Sequence, residues 1–301
     1  MNLPLIPPLQ ELSDSVLIQK GLRLFILRED LIHPFISGNK WRKLYYNIQE
    51  AKLKDVETLI TFGGAYSNHI AATASAGKEF GFKTLGFIRG EEQLPLNSTL
   101  TYAKSCGMEF RYLSRTEYRL KEEAEFLNSL LENEKAYYLI PEGGTNDLAV
   151  KGCEEIVADL NINFDYVCCA VGTGGTISGI INSLKSHQKA IGFPALKGGG
   201  FLKDEIAKYA TNSQWELNLD YHFGGYAKVK TELIDFMNSF KANHQIPLDP
   251  VYTAKMLFGT WDLIEKDYFR VGSTIIVVHT GGLQGIDGMN ERLKNKGLQI
   301  L

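Results

Sequence analysis

Cysteine is scarce, with four residues among 301, and two of them, Cys168 and Cys169, are adjacent. Neighbouring cysteines rarely bridge to one another, and none of the four has the spacing of a zinc site. That excludes a disulfide-stapled scaffold and points to reduced, mostly buried thiols of a cytoplasmic protein. Long apolar runs are also missing. Ser273 to Val278 is strand-sized, far short of the ~20 residues a membrane span needs. The segment Met1 to Gln10 carries three prolines and no basic stretch leading into an apolar one, so it does not read as a signal peptide. A strong charge of one sign is absent too. The net charge is −3 with both signs spread along the chain, which argues against nucleic-acid or membrane-surface partners. No internal repeat or low-complexity segment interrupts the sequence.

What is present is the composition of an ordinary globular enzyme, 44% apolar and 22% charged, in a chain long enough to bury a large core without staples. Strand-like runs alternate with helical stretches. Strands are expected at 22–27, 58–62, 84–88, 110–113, 137–140, 166–171 and 274–278, and a charged amphipathic helix over about 115–132. Tyr166 to Val171 and Thr274 to Val278 are continuous apolar runs, as expected of strands buried on both faces. Each runs into a glycine-rich turn. Strand, glycine-rich turn and helix in repetition predict an α/β fold: two domains with open, mostly parallel twisted sheets flanked by helices. Residues 45–150 have their own βα repeats and form a candidate smaller domain, inserted between 1–44 and 151–301, which make up the larger one. Chemistry in such sheets gathers at the carboxyl ends of the strands.

Three of the turns carry candidate chemistry. In Ser37-Gly38-Asn39-Lys40-Trp41-Arg42-Lys43-Leu44, Lys40 and Lys43 share one helix face. A second cation beside a lysine lowers its pKa and frees the amine as a nucleophile, although the segment alone also reads as a basic helix start facing water. In Gly63-Gly64-Ala65-Tyr66-Ser67-Asn68-His69, Ser67 is a good N-cap. The helix start behind it suits a carboxylate; simple capping is the plainer reading. Gly172-Thr173-Gly174-Gly175-Thr176 lacks the lysine of a nucleotide-binding P-loop, and Ile177 stands where a dinucleotide fingerprint needs a third glycine. What remains is a nest of N–H groups and hydroxyls suited to a single phosphate. A reactive lysine, a carboxylate-binding turn and a monophosphate nest together suit pyridoxal 5'-phosphate (PLP) better than NAD.

These segments, with Asp249-Pro250-Val251-Tyr252-Thr253 and His279-Thr280-Gly281-Gly282, resemble the 1-aminocyclopropane-1-carboxylate (ACC) deaminase / D-cysteine desulfhydrase family. They occur in family order across nearly the whole chain. The family belongs to the fold-type-II PLP enzymes, which are tryptophan synthase β-like. The resemblance implies that Lys40 carries PLP as a Schiff base and moves the substrate's α-proton. It implies that Lys43 helps neutralise the phosphate cradled by Gly172, Thr173, Gly174, Gly175 and Thr176. Asn68 would bond the ring's phenolic oxygen. Ser67, with Asn68 and His69 beside it, would grip the substrate carboxylate. Tyr226 and Tyr252 match two active-site tyrosines. A homodimer is expected on the same ground.

Two positions separate the branches. The deaminases have Glu where this chain has Thr253, and Leu where it has Thr280. A glutamate near the pyridine nitrogen would favour the pyridinium, a strong electron sink for opening a cyclopropane. A neutral hydroxyl leaves a weaker sink, which suffices for β-elimination of a good leaving group such as thiolate. The expected activity is therefore that of a PLP-dependent lyase acting on a small D-amino acid and giving pyruvate, ammonia and sulfide. The alternatives are ACC deaminase, giving 2-oxobutanoate and ammonia, and a PLP-binding protein without lyase turnover.

Overall fold

A computed structural model describes residues 6–158 and 160–301; residues 1–5, part of the segment read above for a signal peptide, lie outside the described residues. The strands among the described residues are β1 (Leu9–Leu12), β2 (Arg23–Leu27), β3 (Thr58–Gly64), β4 (Lys83–Arg89), β5 (Met108–Leu113), β6 (Tyr137–Ile140), β7 (Tyr166–Val171), β8 (Lys189–Pro194), β9 (Trp215–Leu217) and β10 (Thr274–Val278). The helices are α1 (Ser15–Lys20), α2 (Asn39–Leu53), α3 (Asn68–Phe80), α4 (Ser98–Ser105), α5 (Ala124–Leu131), α6 (Asp147–Ala158), α7 (Gly175–Asn182), α8 (Leu202–Ala207), α9 (Thr231–His244), α10 (Thr253–Glu265) and α11 (Gly285–Leu293).

Two sheets result. One has the order β1-β2-β10-β7-β8-β9 and the other β5-β4-β3-β6. Every pairing is parallel except that of β1 with β2. β1 is an edge strand that begins just after Pro7 and Pro8, and prolines are tolerated beside an edge because no ladder donor is lost there. β10 lies between β2 and β7 and is buried along its whole length. Its side chains alternate between two cores: Ile275 and Val277 pack on one face, Ile276 and Val278 on the other. That is why the run reads as continuously apolar. Full burial of such a side chain contributes about 1.5–3 kcal/mol, and Ile276→Ala should cost about 2–5 kcal/mol.

The smaller sheet spans Thr58 to Ile140. The boundaries read from sequence, 44/45 and 150/151, fall inside α2 and α6, so these helices belong wholly to neither segment. Trp41, Leu44 and Ile48 of α2 pack with Leu59, Ala72 and Ile140 of the smaller sheet's layer. The other side of α2 meets α6, which also packs on α7 of the larger layer. At Gly152 the approach is so close that a Cβ would lie 2.0 Å from the Arg42 carbonyl oxygen. The start of α2 is thereby wedged between the two layers.

The expected helix over about 115–132 is broken: a single 3-10 turn covers Glu117–Leu120 and α5 begins at Ala124. Ser114 and Glu117 bond each other's backbone reciprocally, at 2.8 and 3.2 Å. That box starts a turn which buries Tyr118 against Phe62, and residues 121–123 leave the helix before α5 begins. No helix among the described residues is long and apolar enough to cross a membrane.

Candidate active site

The loops after β3, β6, β7 and β10 converge on the first turn of α2. Gly38 sets up that turn. It sits at φ 64, and a Cβ there would lie 2.0 Å from the Thr280 carbonyl oxygen, so only glycine fits. Asn39 N–H donates to that same oxygen at 3.3 Å, which ties α2 to the loop after β10.

Lys40 follows. Its Nζ donates to Asn39 Oδ1 at 2.9 Å, and Asn39 Nδ2 in turn donates to Thr176 Oγ1 at 2.8 Å. Burial, and then the charge of Lys43, lower the Lys40 pKa to about 7. A large share of the amine is therefore neutral at physiological pH, the form that attacks a carbonyl. Lys43, one turn further on, is buried and its pKa is lowered by that burial. Its Nζ donates to Gly143 O and Thr145 Oγ1, each at 2.9 Å, and to Thr173 Oγ1 at 3.4 Å. It thus joins the loop after β6 to the loop after β7. Neither lysine has a carboxylate within ion-pair distance among the described residues.

The turn after β7 is an open cradle. Gly174 caps α7 at φ 89 with no side-chain hydrogen bond to the helix start, so its N–H groups stay available. Thr173 Oγ1 and Thr145 Oγ1 are 2.6 Å apart beside Lys43. Gly172 backs onto Tyr252, whose ring a Cβ would approach to 3.1 Å. The turn after β3 differs. Ser67 Oγ accepts from His69 N–H at 3.2 Å and from Ile70 N–H at 3.4 Å, capping α3 itself. Asn68 opens that helix, and its Oδ1 accepts from Gln284 Nε2 at 2.6 Å.

Lys40, Lys43, Ser67, Asn68, Gly172, Thr173, Gly174, Thr176, Tyr226, Tyr252 and Thr280 all line one cavity. The structure separates three other expected site residues from its open face. His69 borders the cavity, but its ring is buried with Nε2 2.8 Å from Thr61 Oγ1. Burial and then the Lys40 and Lys43 charges drive its pKa well below the usual 6.5, so the ring is neutral. Gly175, the first residue of α7, is buried and is not among the residues lining the cavity. Thr253 is turned away altogether. Its Oγ1 accepts from Asp249 N–H at 2.8 Å and lies 2.9 Å from the Asp249 carboxylate, which also accepts the N–H groups of residues 251–253. The hydroxyl is spent on starting α10, and of the two threonines that mark the branches only Thr280 faces the cavity. Tyr226 and Tyr252 meet edge to face, ring centroids 6.0 Å apart. Burial, then the Tyr226 phenol, hold the Tyr252 hydroxyl protonated.

Sequence reading missed Asn39, Gly143, Thr145 and Gln284. Gly143-Gly144 after Pro141 was a usable signal, because it repeats the strand-to-glycine-pair pattern of the other turns. Thr145 and Gln284 lie in no such pattern; tertiary proximity alone brings them in.

The residues fit PLP. A lysine amine with a pKa of about 7 can condense with an aldehyde. One cationic side chain without a carboxylate partner, Lys43, an uncapped helix start and clustered hydroxyls suit a phosphate dianion. An α/β fold with this constellation at its strand ends defines a cofactor-dependent enzyme, and comparison with known families agrees. Residues 6–281 match the family described as pyridoxal-phosphate dependent enzyme, and the chain belongs to it. Among its relatives is the "Putative 1-aminocyclopropane-1-carboxylate deaminase" of Pyrococcus furiosus, 32% identical over 88% of this chain and 86% of that protein. Another is the mitochondrial bifunctional D-cysteine desulfhydrase/1-aminocyclopropane-1-carboxylate deaminase of Arabidopsis thaliana, 31% identical over 89% of this chain and 74% of that one. The crystal structure of an ACC deaminase homologue superposes with a TM-score of 0.86 at 29% identity, covering 98% of this chain and 95% of that one.

Proposed function

We propose that this enzyme is a lyase of the ACC deaminase and D-cysteine desulfhydrase type that eliminates the β-substituent of a small D-amino acid. With D-cysteine it would release pyruvate, ammonia and sulfide. When bound, the cofactor would supply an electron sink for loss of the proton at the α-carbon. The chain supplies the rest. The uncapped α7 turn and Lys43 hold the phosphate. The α3 turn takes the substrate carboxylate, where its oxygens compete with Ser67 Oγ for the N–H groups of residues 69 and 70. Lys40 Nζ takes the α-proton. Tyr252, kept protonated, is a donor on the wall where the β-substituent departs.

The observation that carries the choice of branch is the absence of any aspartate or glutamate among the residues lining this cavity. Thr280 is the residue that faces it where a branch difference was expected. With no acid among the lining residues to hold a pyridine nitrogen protonated, the sink would be a moderate one. A moderate sink suits loss of a thiolate more than opening of a cyclopropane. The relatives named as ACC deaminases favour the second reading, release of 2-oxobutanoate from ACC.

A keto-acid release assay over D-cysteine, L-cysteine, ACC, D-serine and β-chloro-D-alanine separates the two. D-Cysteine and β-chloro-D-alanine are expected to be the fastest substrates and ACC the slowest. Faster release from ACC than from D-cysteine would overturn the branch. No keto acid from any of the five would leave a cofactor-binding protein without this turnover.

A further inference from the structure

Lys255 stands outside the chemistry described so far, yet it is among the most enclosed large side chains of the protein, 1% exposed. It sits in the first turn of α10, three residues after Tyr252. Its Nζ donates to Gly225 O at 2.8 Å, to His222 O at 2.9 Å and to Ala195 O at 3.5 Å. No carboxylate lies within ion-pair distance of it among the described residues. A buried ammonium without a counter-ion costs several kcal/mol, so its retention needs a reason beyond hydrogen-bond satisfaction. The carbonyls do not supply one, because His222 O already accepts Gly225 N–H at 3.0 Å and Gly225 O accepts Lys228 N–H at 3.1 Å. What the three oxygens lack without Lys255 is a positive charge at the point where their dipoles meet.

The segment they belong to is conformationally costly. Phe223, Gly224, Gly225 and Ala227 all have positive φ, at 53, 94, 115 and 52°. Phe223 and Ala227 carry side chains that disfavour that region. Tyr226 is the residue this loop presents, and it lies against Tyr252 at the substrate cavity. Ala195 brings in a third strand of chain, the exit of β8.

We infer that Lys255 is a positioning residue acting as a tethered monovalent cation: its ammonium gathers the carbonyls of Ala195, His222 and Gly225 and so fixes the Tyr226 loop against Tyr252. A compact, spherical ammonium suits such a cage; the planar fork of arginine does not. The inference rests on the lyase reading only in treating Tyr226 as a wall of the substrate cavity.

The test uses the holoenzyme with Lys255→Ala, which empties the cage, in potassium, ammonium or tetramethylammonium chloride at equal ionic strength. In tetramethylammonium, kcat for D-cysteine should fall about 10- to 100-fold, the scale of a misplaced active-site group, with KM changed less. Potassium or ammonium, small enough to enter the cage, should restore most of the loss and raise the Tm of the variant. The wild type should be indifferent to the cation. A loss that no cation restores, or no loss at all, overturns the inference. Lys255→Gln keeps a donor and fills the cage without charge; it should be impaired and insensitive to potassium. Full activity of Lys255→Gln would overturn the role of charge even if Lys255→Ala fails to fold. The cation-dependent Tm needs no turnover. A wild type that releases no keto acid would therefore sink the lyase reading and leave the cage to be judged on Tm.

Discussion

The two glycine-rich turns, Gly63 to Ser67 and Gly172 to Thr176, look alike in sequence and differ in what they leave free. Both follow buried parallel strands and both open a helix. The first is closed on itself, with Ser67 accepting two of the N–H groups a ligand would want. The second has no side-chain cap, and its threonines are tied to Asn39 and Lys43. An open turn is prepared for a group that stays. A self-capped turn suits a ligand that comes and goes, because Ser67 Oγ would again accept the N–H groups of residues 69 and 70 once a carboxylate left. On the proposed function, the open turn would hold the resident phosphate and the self-capped turn the transient substrate carboxylate.

The largest effect should come from the lysine that stands between them. Lys40→Ala should lower keto-acid release by about 10⁴-fold or more, the reach of a positioned acid–base group, and abolish the absorbance of covalently held cofactor. A fully active variant would remove the division of labour along with its centre. Next is Lys43→Ala, which leaves the phosphate turn without its cation. Loss of a charge-assisted bond costs about 1.5–3 kcal/mol, so the cofactor Kd, read by equilibrium dialysis of the apoenzyme, should rise about 10- to 100-fold. Smaller again is Ser67→Ala. It should raise KM for the amino acid about 10-fold and cost about 1 kcal/mol of stability as a lost helix cap, leaving the cofactor Kd in place. If Ser67→Ala weakens the cofactor and Lys43→Ala weakens the substrate instead, the two turns have been assigned the wrong way round.

The subtlest prediction concerns pH. Burial and Lys43 hold Lys40 at about 7. The neutral amine is the reacting form, so cofactor uptake by the apoenzyme should climb as pH rises through 7 and level off near pH ~8, whereas an ordinary lysine at about 10.4 would still be climbing. Lys43→Ala removes the neighbouring charge, raises the Lys40 pKa and moves the climb to higher pH. Rapid-mixing absorbance at several pH values reads both.

Much of this was legible in the residues. Strands 137–140, 166–171 and 274–278 coincide with the structure because apolar runs between glycine or proline stops leave little choice. The turns were legible because glycine pairs at strand ends have few other uses. Strands β1, β8 and β9 were not read. β1 begins beside two prolines and β9 is three half-buried residues, so neither shows a clear period. The direction of a side chain was the harder matter. Nothing in the sequence shows that Thr253 spends its hydroxyl on Asp249, that the His69 ring turns back to Thr61, or that Lys255 reaches three carbonyls from two segments. Those are tertiary facts, and the charge and hydrogen-bond balance of the site rests on them.

We propose that Lys40, and not its neighbour Lys43, carries the cofactor. Borohydride reduction of the holoenzyme followed by peptide mass mapping tests it directly. The added mass of reduced PLP is expected on residue 40 alone. Its appearance on Lys43, or its absence from both, would show that Lys40 does not carry the cofactor.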